Sequence, residues 1–261
     1  MIYFIQIEAS RKTNYFRLAF CKIMVYSIQK YVVTCCNINI KRCYNEQKIL
    51  SFDLDGTLTD PKVGITKSVQ YSLGEFGIDV ENVDDLVSFI GPPLRESYKR
   101  YYSFNDTQAE KAVAEYRKYF SQSGIFENAI YTGIESLLKQ QYEKGKTLII
   151  ATSKPTVYAI EILKHFKIYD YFSFIAGSEL NGERSKKAEV IQYAIENAGI
   201  SSADAAVMIG DKEHDIIGAK AHAMDSIGVL YGYGSLDELL NAKATHIAET
   251  VNNLAKLVNK V

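Results

Sequence analysis

The strongest constraint on the fold is a rhythm of short apolar runs, each closed by a polar or small residue and followed by a helical pattern. The runs are Ile49–Phe52, Leu148–Ala151, Phe174–Ala176, Ala206–Ile209 and Ser226–Leu230. The helical stretches read as Gly133–Glu143, Thr156–His165, Lys186–Asn197, Glu213–Ala223 and Leu236–Asn241. In the first of these, Ile134, Leu137, Leu138 and Tyr142 recur at helical spacing. Strands that are apolar on both faces are covered on both faces. Alternating with helices, they predict an α/β protein built on a parallel sheet.

One interval breaks the rhythm. Residues 61–130 hold helical patterns and no clear strand. The clearest helix is Thr107–Ser123, with Ala109, Ala112, Val113, Tyr116 and Phe120 along one face and Asn105-Asp106-Thr107 as its cap signal. Gly91-Pro92-Pro93 is a hard break between two helices. So long a helical stretch is a second unit rather than a loop. The expected organisation is a core from 48–60 and 131–261, with an all-helical insert at 61–130.

Charge is distributed unevenly. The chain of 261 residues has a formal net charge of -1, so its overall charge does not point to nucleic acid. Residues 1–50 hold eight Lys/Arg against two Asp/Glu, leaving 22 against 29 in the remainder. All four cysteines (Cys21, Cys35, Cys36, Cys43) lie in that first stretch, so the rest is not disulfide-built. Residues 1–47 are read as a basic extension of unknown role. Lys22 and Lys30 interrupt its apolar residues, against a signal peptide or anchor. No stretch reaches the roughly 18 apolar residues of a membrane span. A cytoplasmic protein, monomeric or homodimeric, is expected.

In parallel sheets ligands bind at the carboxyl ends of strands. Asp53 and Asp55 follow the first run, Thr152 and Ser153 the second, and Gly210 and Asp211 the fourth, with Asp215 four residues on. Arg184, Lys186 and Lys187 precede a helix. Two carboxylates about 4 Å apart repel by about 4 kcal/mol at an effective dielectric of 20. A helix dipole returns only about 0.3–1 kcal/mol. Acids gathered at one spot therefore need a cation, and hard oxygen ligands select Mg²⁺.

The segment "FDLDGTLTD" resembles the first motif of the haloacid dehalogenase-like hydrolase superfamily, D-x-D-G-T-L-T/V-D. "LIIATSKP", "SKKAEVI" and "VMIGDKEHD" resemble its other three motifs. The resemblance spans residues 48–261 and implies a Rossmann-like core with a helical cap inserted after the first motif. It implies that Asp53 is the nucleophile, that Asp55 is the general acid–base, and that the cofactor is Mg²⁺ held by Asp53, Asp55, Asp211 and Asp215. Thr152 and a motif-three lysine would hold the phosphoryl group, with Gly56, Thr57 and Ser153 beside them. Lys187 is preferred by its spacing to Val190 and Ile191, with Lys186 left open.

An aspartate at position 55 sets the chain apart from the dehalogenases, which lack one there. Leu54-Asp55-Gly56-Thr57 also differs from the Lys-Thr-Gly-Thr of P-type ATPases. The chain is similar to the phosphoglycolate phosphatase and 5′-nucleotidase group. Thr132 and Arg184-Ser185-Lys186-Lys187 depart from that group's usual Pro and Lys-Pro-x-Pro. Arg95, just after Gly91-Pro92-Pro93-Leu94, is the candidate reader of the leaving portion. The expected activity is Mg²⁺-dependent hydrolysis of a small phosphomonoester, phosphoglycolate or a nucleoside 5′-monophosphate. A pyrophosphatase, a sugar phosphomutase and a non-catalytic binding protein are the alternatives.

Overall fold

The computed structural model describes residues 49–200 and 205–260. The expectations placed on residues 1–47 lie outside that range.

Six strands form one parallel sheet: β1 (Ile49–Phe52), β4 (Leu148–Pro155), β5 (Phe174–Ser178), β6 (Ala206–Gly210), β7 (Asp225–Val229) and β8 (His246–Ala248). Their spatial order is β5-β4-β1-β6-β7-β8. β1 is central, with Phe52 in register with Ile150 of β4 and Ile209 of β6. Alternate residues of each strand feed opposite faces. Leu50, Phe52, Leu148, Ile150, Val207 and Ile209 belong to one apolar cluster. Ile149, Ala151, Ala206 and Met208 belong to the other. Nearly all these side chains are fully buried, and each one larger than alanine contributes about 1.5–3 kcal/mol relative to exposure.

The first face is covered by α4 (Ile134–Glu143), α5 (Thr156–His165) and α9 (Val251–Val258), through Leu137, Leu138, Ile162 and Leu254. The second is covered by α6 (Lys187–Asn197) and α7 (Glu213–Ala221), through Val190, Ile191, Ala194 and Ala219. The remaining core helix, α8 (Leu236–Asn241), is capped by Ser235, whose hydroxyl accepts from the Glu238 amide.

The cap leaves the sheet after β1. A short antiparallel ribbon of β2 (Thr59–Asp60) and β3 (Ala129–Ile130) carries the chain out and back. Between them lie α1 (Lys62–Gly74), a 3₁₀ segment at Val83–Phe89, α2 (Leu94–Tyr102) and α3 (Asp106–Tyr119). Asn105 caps α3 reciprocally: its Oδ1 accepts from the Gln108 amide at 2.9 Å, and Gln108 Oε1 accepts from the Asn105 amide at 3.0 Å. The sequence pattern predicts one helix to Ser123. The α-helix instead ends at Tyr119 and continues as a π-helical turn, Phe120–Gly124. There Gly64 of α1 permits a close approach, since a Cβ on it would overlap the Gly124 carbonyl. The ribbon, β8 and α9 are too short or too polar at their ends to show in a search for apolar runs.

Candidate active site

Each acidic side chain is placed by a strand end. Asp53 follows β1, and its amide donates to the Ile209 carbonyl at 2.8 Å, locking the exit of β1 to that of β6. Asp211 follows β6, and Asp215 sits in the first turn of α7. Carboxylate oxygens of Asp53, Asp211 and Asp215 all lie within 4.8 Å of one another, and all three residues are buried. Gly56 makes this convergence possible. Its φ is +81°, and a Cβ there would collide with the Asp211 carboxylate.

Lys187 crosses to this cluster from the start of α6. Its Nζ lies 2.8 Å from Asp53 Oδ1, 2.8 Å from Asp215 Oδ1 and 3.0 Å from the Ala151 carbonyl it donates to. Burial works against the Lys187 charge, yet Asp215 and Asp53 outweigh it and its pKa is raised. Lys186 occupies the N-cap position and is exposed. Of the two lysines, Lys187 is therefore the one that reaches the acids.

One lysine does not compensate the cluster. Burial, then the charges of Asp215 and Asp53, push Asp211 well above the ordinary carboxylate range. Asp215 is pushed up to about 6 by burial and Asp53, against the pull of Lys187. Asp211 Oδ2 accepts from the Tyr233 amide at 2.8 Å, whereas its Oδ1 is buried with no hydrogen-bond partner among the described residues. Three converging hard oxygen donors, excess negative charge and an unsatisfied carboxylate oxygen fit a divalent cation such as Mg²⁺.

Asp55 points elsewhere. Its Oδ2 lies 2.8 Å from Lys154 Nζ, and both side chains are nearly buried. Burial raises the Asp55 pKa, partly offset by Lys154. Lys154 also stands over the Phe120 ring, 4.6 Å from its centroid, linking the core to the cap. Thr152 is buried, and its Oγ1 accepts from the Lys154 amide at 3.2 Å. The Ser153 carbonyl accepts from the Ser178 hydroxyl at 2.8 Å. Thr57 is fully buried, and its carbonyl accepts from the Tyr231 hydroxyl.

Asp53, Asp55, Thr152, Ser153 and Lys154 line the core side of a cavity of about 540 Å³. The cap closes it with residues that include Phe89, Arg95, Tyr116, Arg117 and Phe120. Arg95 is about half exposed, and its Nη2 lies 3.2 Å from both Asp106 Oδ1 and Glu110 Oε1. Three participants were not singled out by the sequence reading. Lys154 carried a signal, a lysine at the end of an apolar strand. Arg117 was hidden within the helical stripe of Val113, Tyr116 and Phe120. Tyr233 acts through its backbone, which leaves no mark on side-chain chemistry.

A capped, parallel α/β core with buried aspartates at the exits of β1 and β6 defines a class of hydrolytic, phosphoryl-handling enzymes. The family model described as haloacid dehalogenase-like hydrolase matches residues 50–229, and the chain belongs to that family. It is 46% identical over 195 residues to a 5′-nucleotidase of Pseudomonas aeruginosa, covering 75% of this chain and 88% of that one. It is 35% identical over 209 residues to tyrosine-protein kinase PtkA of Mycobacterium tuberculosis, covering 79% and 71%. The crystal structure of a predicted phosphatase from Clostridium acetobutylicum superposes with a TM-score of 0.80 at 49% identity, covering 82% and 99%. The protein is accordingly a phosphatase of this family, acting on phosphoric monoester bonds. No helix among the described residues is long and apolar enough to cross a membrane.

Proposed function

We propose that the protein hydrolyses a nucleoside 5′-monophosphate through an aspartyl-phosphate on Asp53, with Mg²⁺ as cofactor. The observation that carries the reading is the placement of Asp53 and Asp55 on one wall of a cavity large enough for a nucleoside. Phosphoglycolate would leave most of that volume empty. The similarity to a 5′-nucleotidase supports the same choice.

In the first step an Asp53 carboxylate oxygen attacks phosphorus and the bond to the ester oxygen breaks. Asp55, protonated at the start, gives its proton to the departing 5′-oxygen. In the second step Asp55, now ionised, takes a proton from water as the water oxygen attacks the acyl phosphate. The P–O bond to Asp53 breaks, and inorganic phosphate and free Asp53 result. Burial of Asp55 pulls it toward the protonated form that the first step needs, and Lys154 beside it pulls it toward the ionised form that pairs with the lysine and serves the second step. Thr152 and Lys187 orient the phosphoryl oxygens, whereas the Gly56 and Thr57 amides are committed to the Thr59 and Leu54 carbonyls within the turn. Asp53, Asp211 and Asp215, with the backbone of Asp55, would hold the Mg²⁺, which when bound supplies charge neutralisation to the phosphoryl group.

Phosphate release from GMP, AMP, phosphoglycolate and p-nitrophenyl phosphate, with Mg²⁺ and with EDTA, tests the reading. Metal-dependent release from a nucleotide, with no added acceptor, is the expected result, and it also separates hydrolysis from a kinase-like transfer. Turnover of phosphoglycolate alone would replace the nucleotide assignment.

A further inference from the structure

Three cations line the cavity: Arg95, Arg117 and Lys154. Two are neutralised. Arg95 is engaged by Asp106 and Glu110, and Lys154 by Asp55. The Arg117 guanidinium has no ion-pair or hydrogen-bond partner among the described residues, and the residue is half-buried on α3. Two phenols of the cavity wall feel its charge. Burial raises the Tyr116 and Tyr158 pKa values, and Arg117 lowers each in part. Tyr116 in turn feels the Asp55 carboxylate. Arg117 thus lines the cavity from the cap side, across from the core wall that carries Asp53 and Asp55, and a nucleoside leaving that wall extends toward the cap.

We propose that Arg117 selects the base, so that the enzyme prefers 6-oxopurine 5′-monophosphates (GMP and IMP) to AMP. This rests on the nucleotidase reading above. A guanidinium carries five N–H donors and no acceptor. Guanine and hypoxanthine present two adjacent acceptors, O6 and N7, that match its fork. Adenine places an amino donor beside N7, which would face the guanidinium N–H groups. The cap and rim carboxylates that would favour the amino group are occupied or exposed. Glu110 and Glu179 are engaged by Arg95 and Arg184, and Glu96 is exposed. Aromatic side chains lining the cavity, including Phe89, Tyr116, Phe120 and Tyr158, suit a planar ring. Arg95, the candidate reader on sequence grounds, has its charge already met by two carboxylates.

The test is kcat/KM of the full chain for GMP, IMP, AMP and p-nitrophenyl phosphate with Mg²⁺, in wild type, Arg117→Met and Arg117→Lys, each verified as folded by circular dichroism. One bidentate contact predicts a preference of about tenfold for GMP and IMP over AMP in wild type. Arg117→Met brings that ratio near one by losing oxopurine turnover, and Arg117→Lys keeps part of it. Equal wild-type rates for all three nucleotides, or an unchanged ratio in Arg117→Met, overturn the assignment of Arg117 while leaving a nucleotidase. Hydrolysis of p-nitrophenyl phosphate without any nucleotide turnover overturns the nucleotide reading and this inference together.

Discussion

Lys154 and Asp55 form a nearly buried ion pair, Nζ to Oδ2 at 2.8 Å, with the lysine also seated against Phe120 of the cap. Removing one partner of such a pair strands the other charge and costs about 3–5 kcal/mol. Lys154→Met is expected to lower stability by that amount at pH 7.5. Asp55 in the variant has a folded pKa above its unfolded one, so the penalty is fully present above the folded value and fades as pH falls toward the unfolded value. Urea denaturation at pH 7.5 and 5 measures this, and Lys154→Met/Asp55→Asn should recover much of the loss. A single variant as stable as wild type at both pH values would show that the pair carries no net charge coupling.

Asp55, Asp211 and Asp215 all have raised pKa values, Asp215 up to about 6. A raised carboxylate pKa means the native state holds protons that the unfolded chain has released. Its contribution to stability is complete below about pH 4 and is lost as pH rises through the folded values. The metal-free protein is therefore expected to lose thermal stability between pH 5 and 8. Mg²⁺ should restore it most at pH 8, and Asp211→Asn should flatten the fall in EDTA. Melting curves across that window, with and without the metal, decide the matter. A metal-free Tm that rises with pH would contradict the charge account.

Lys187 and Lys186 are adjacent in sequence and opposite in environment. Lys187→Met leaves Asp53 and Asp215 without their shared cation and is expected to cost about 3–5 kcal/mol. Lys186→Met should stay within about 0.5 kcal/mol of wild type, as exposed substitutions do. Steady-state kinetics should follow the same split, with kcat lost in the first variant only. The reverse pattern would move the phosphate contact to Lys186.

Much of this is legible in the sequence alone. Ile49–Phe52, Thr156–His165 and Leu236–Asn241 carry clear periodicity and clear stops, and those three elements fall where the sequence put them. The acids could be traced to strand ends because parallel topology puts those ends at one edge. The pairing of Asp55 with Lys154 was not visible. Nothing in "TSKP" says which of several acids a lysine will meet once three strands are aligned. The engagement of Arg95 was hidden for the same reason, since Asp106 and Glu110 come from a different helix. The π-helical turn at Phe120–Gly124 is set by the close approach of Gly64, which is a tertiary contact.

Gly56 provides a check on the geometry itself. Its positive φ and the Asp211 carboxylate where a Cβ would sit make Gly56→Ala strained twice over. The variant is expected to melt earlier and to need more Mg²⁺ for half-maximal activity, because displacing Asp211 loosens the cation site. Unchanged Mg²⁺ dependence in a folded Gly56→Ala protein would mean that Asp211 does not have to stand where it does.

The central claim is that Asp53 carries the phosphoryl group during turnover. Acid quenching of the enzyme while it hydrolyses substrate labelled in its phosphate, followed by digestion and peptide mapping, measures this directly. The account predicts phosphate on the peptide containing Asp53, stable in acid and lost in alkali as an acyl phosphate is, with none in Asp53→Asn. Turnover with no protein-bound phosphate, or label on any other residue, would contradict it.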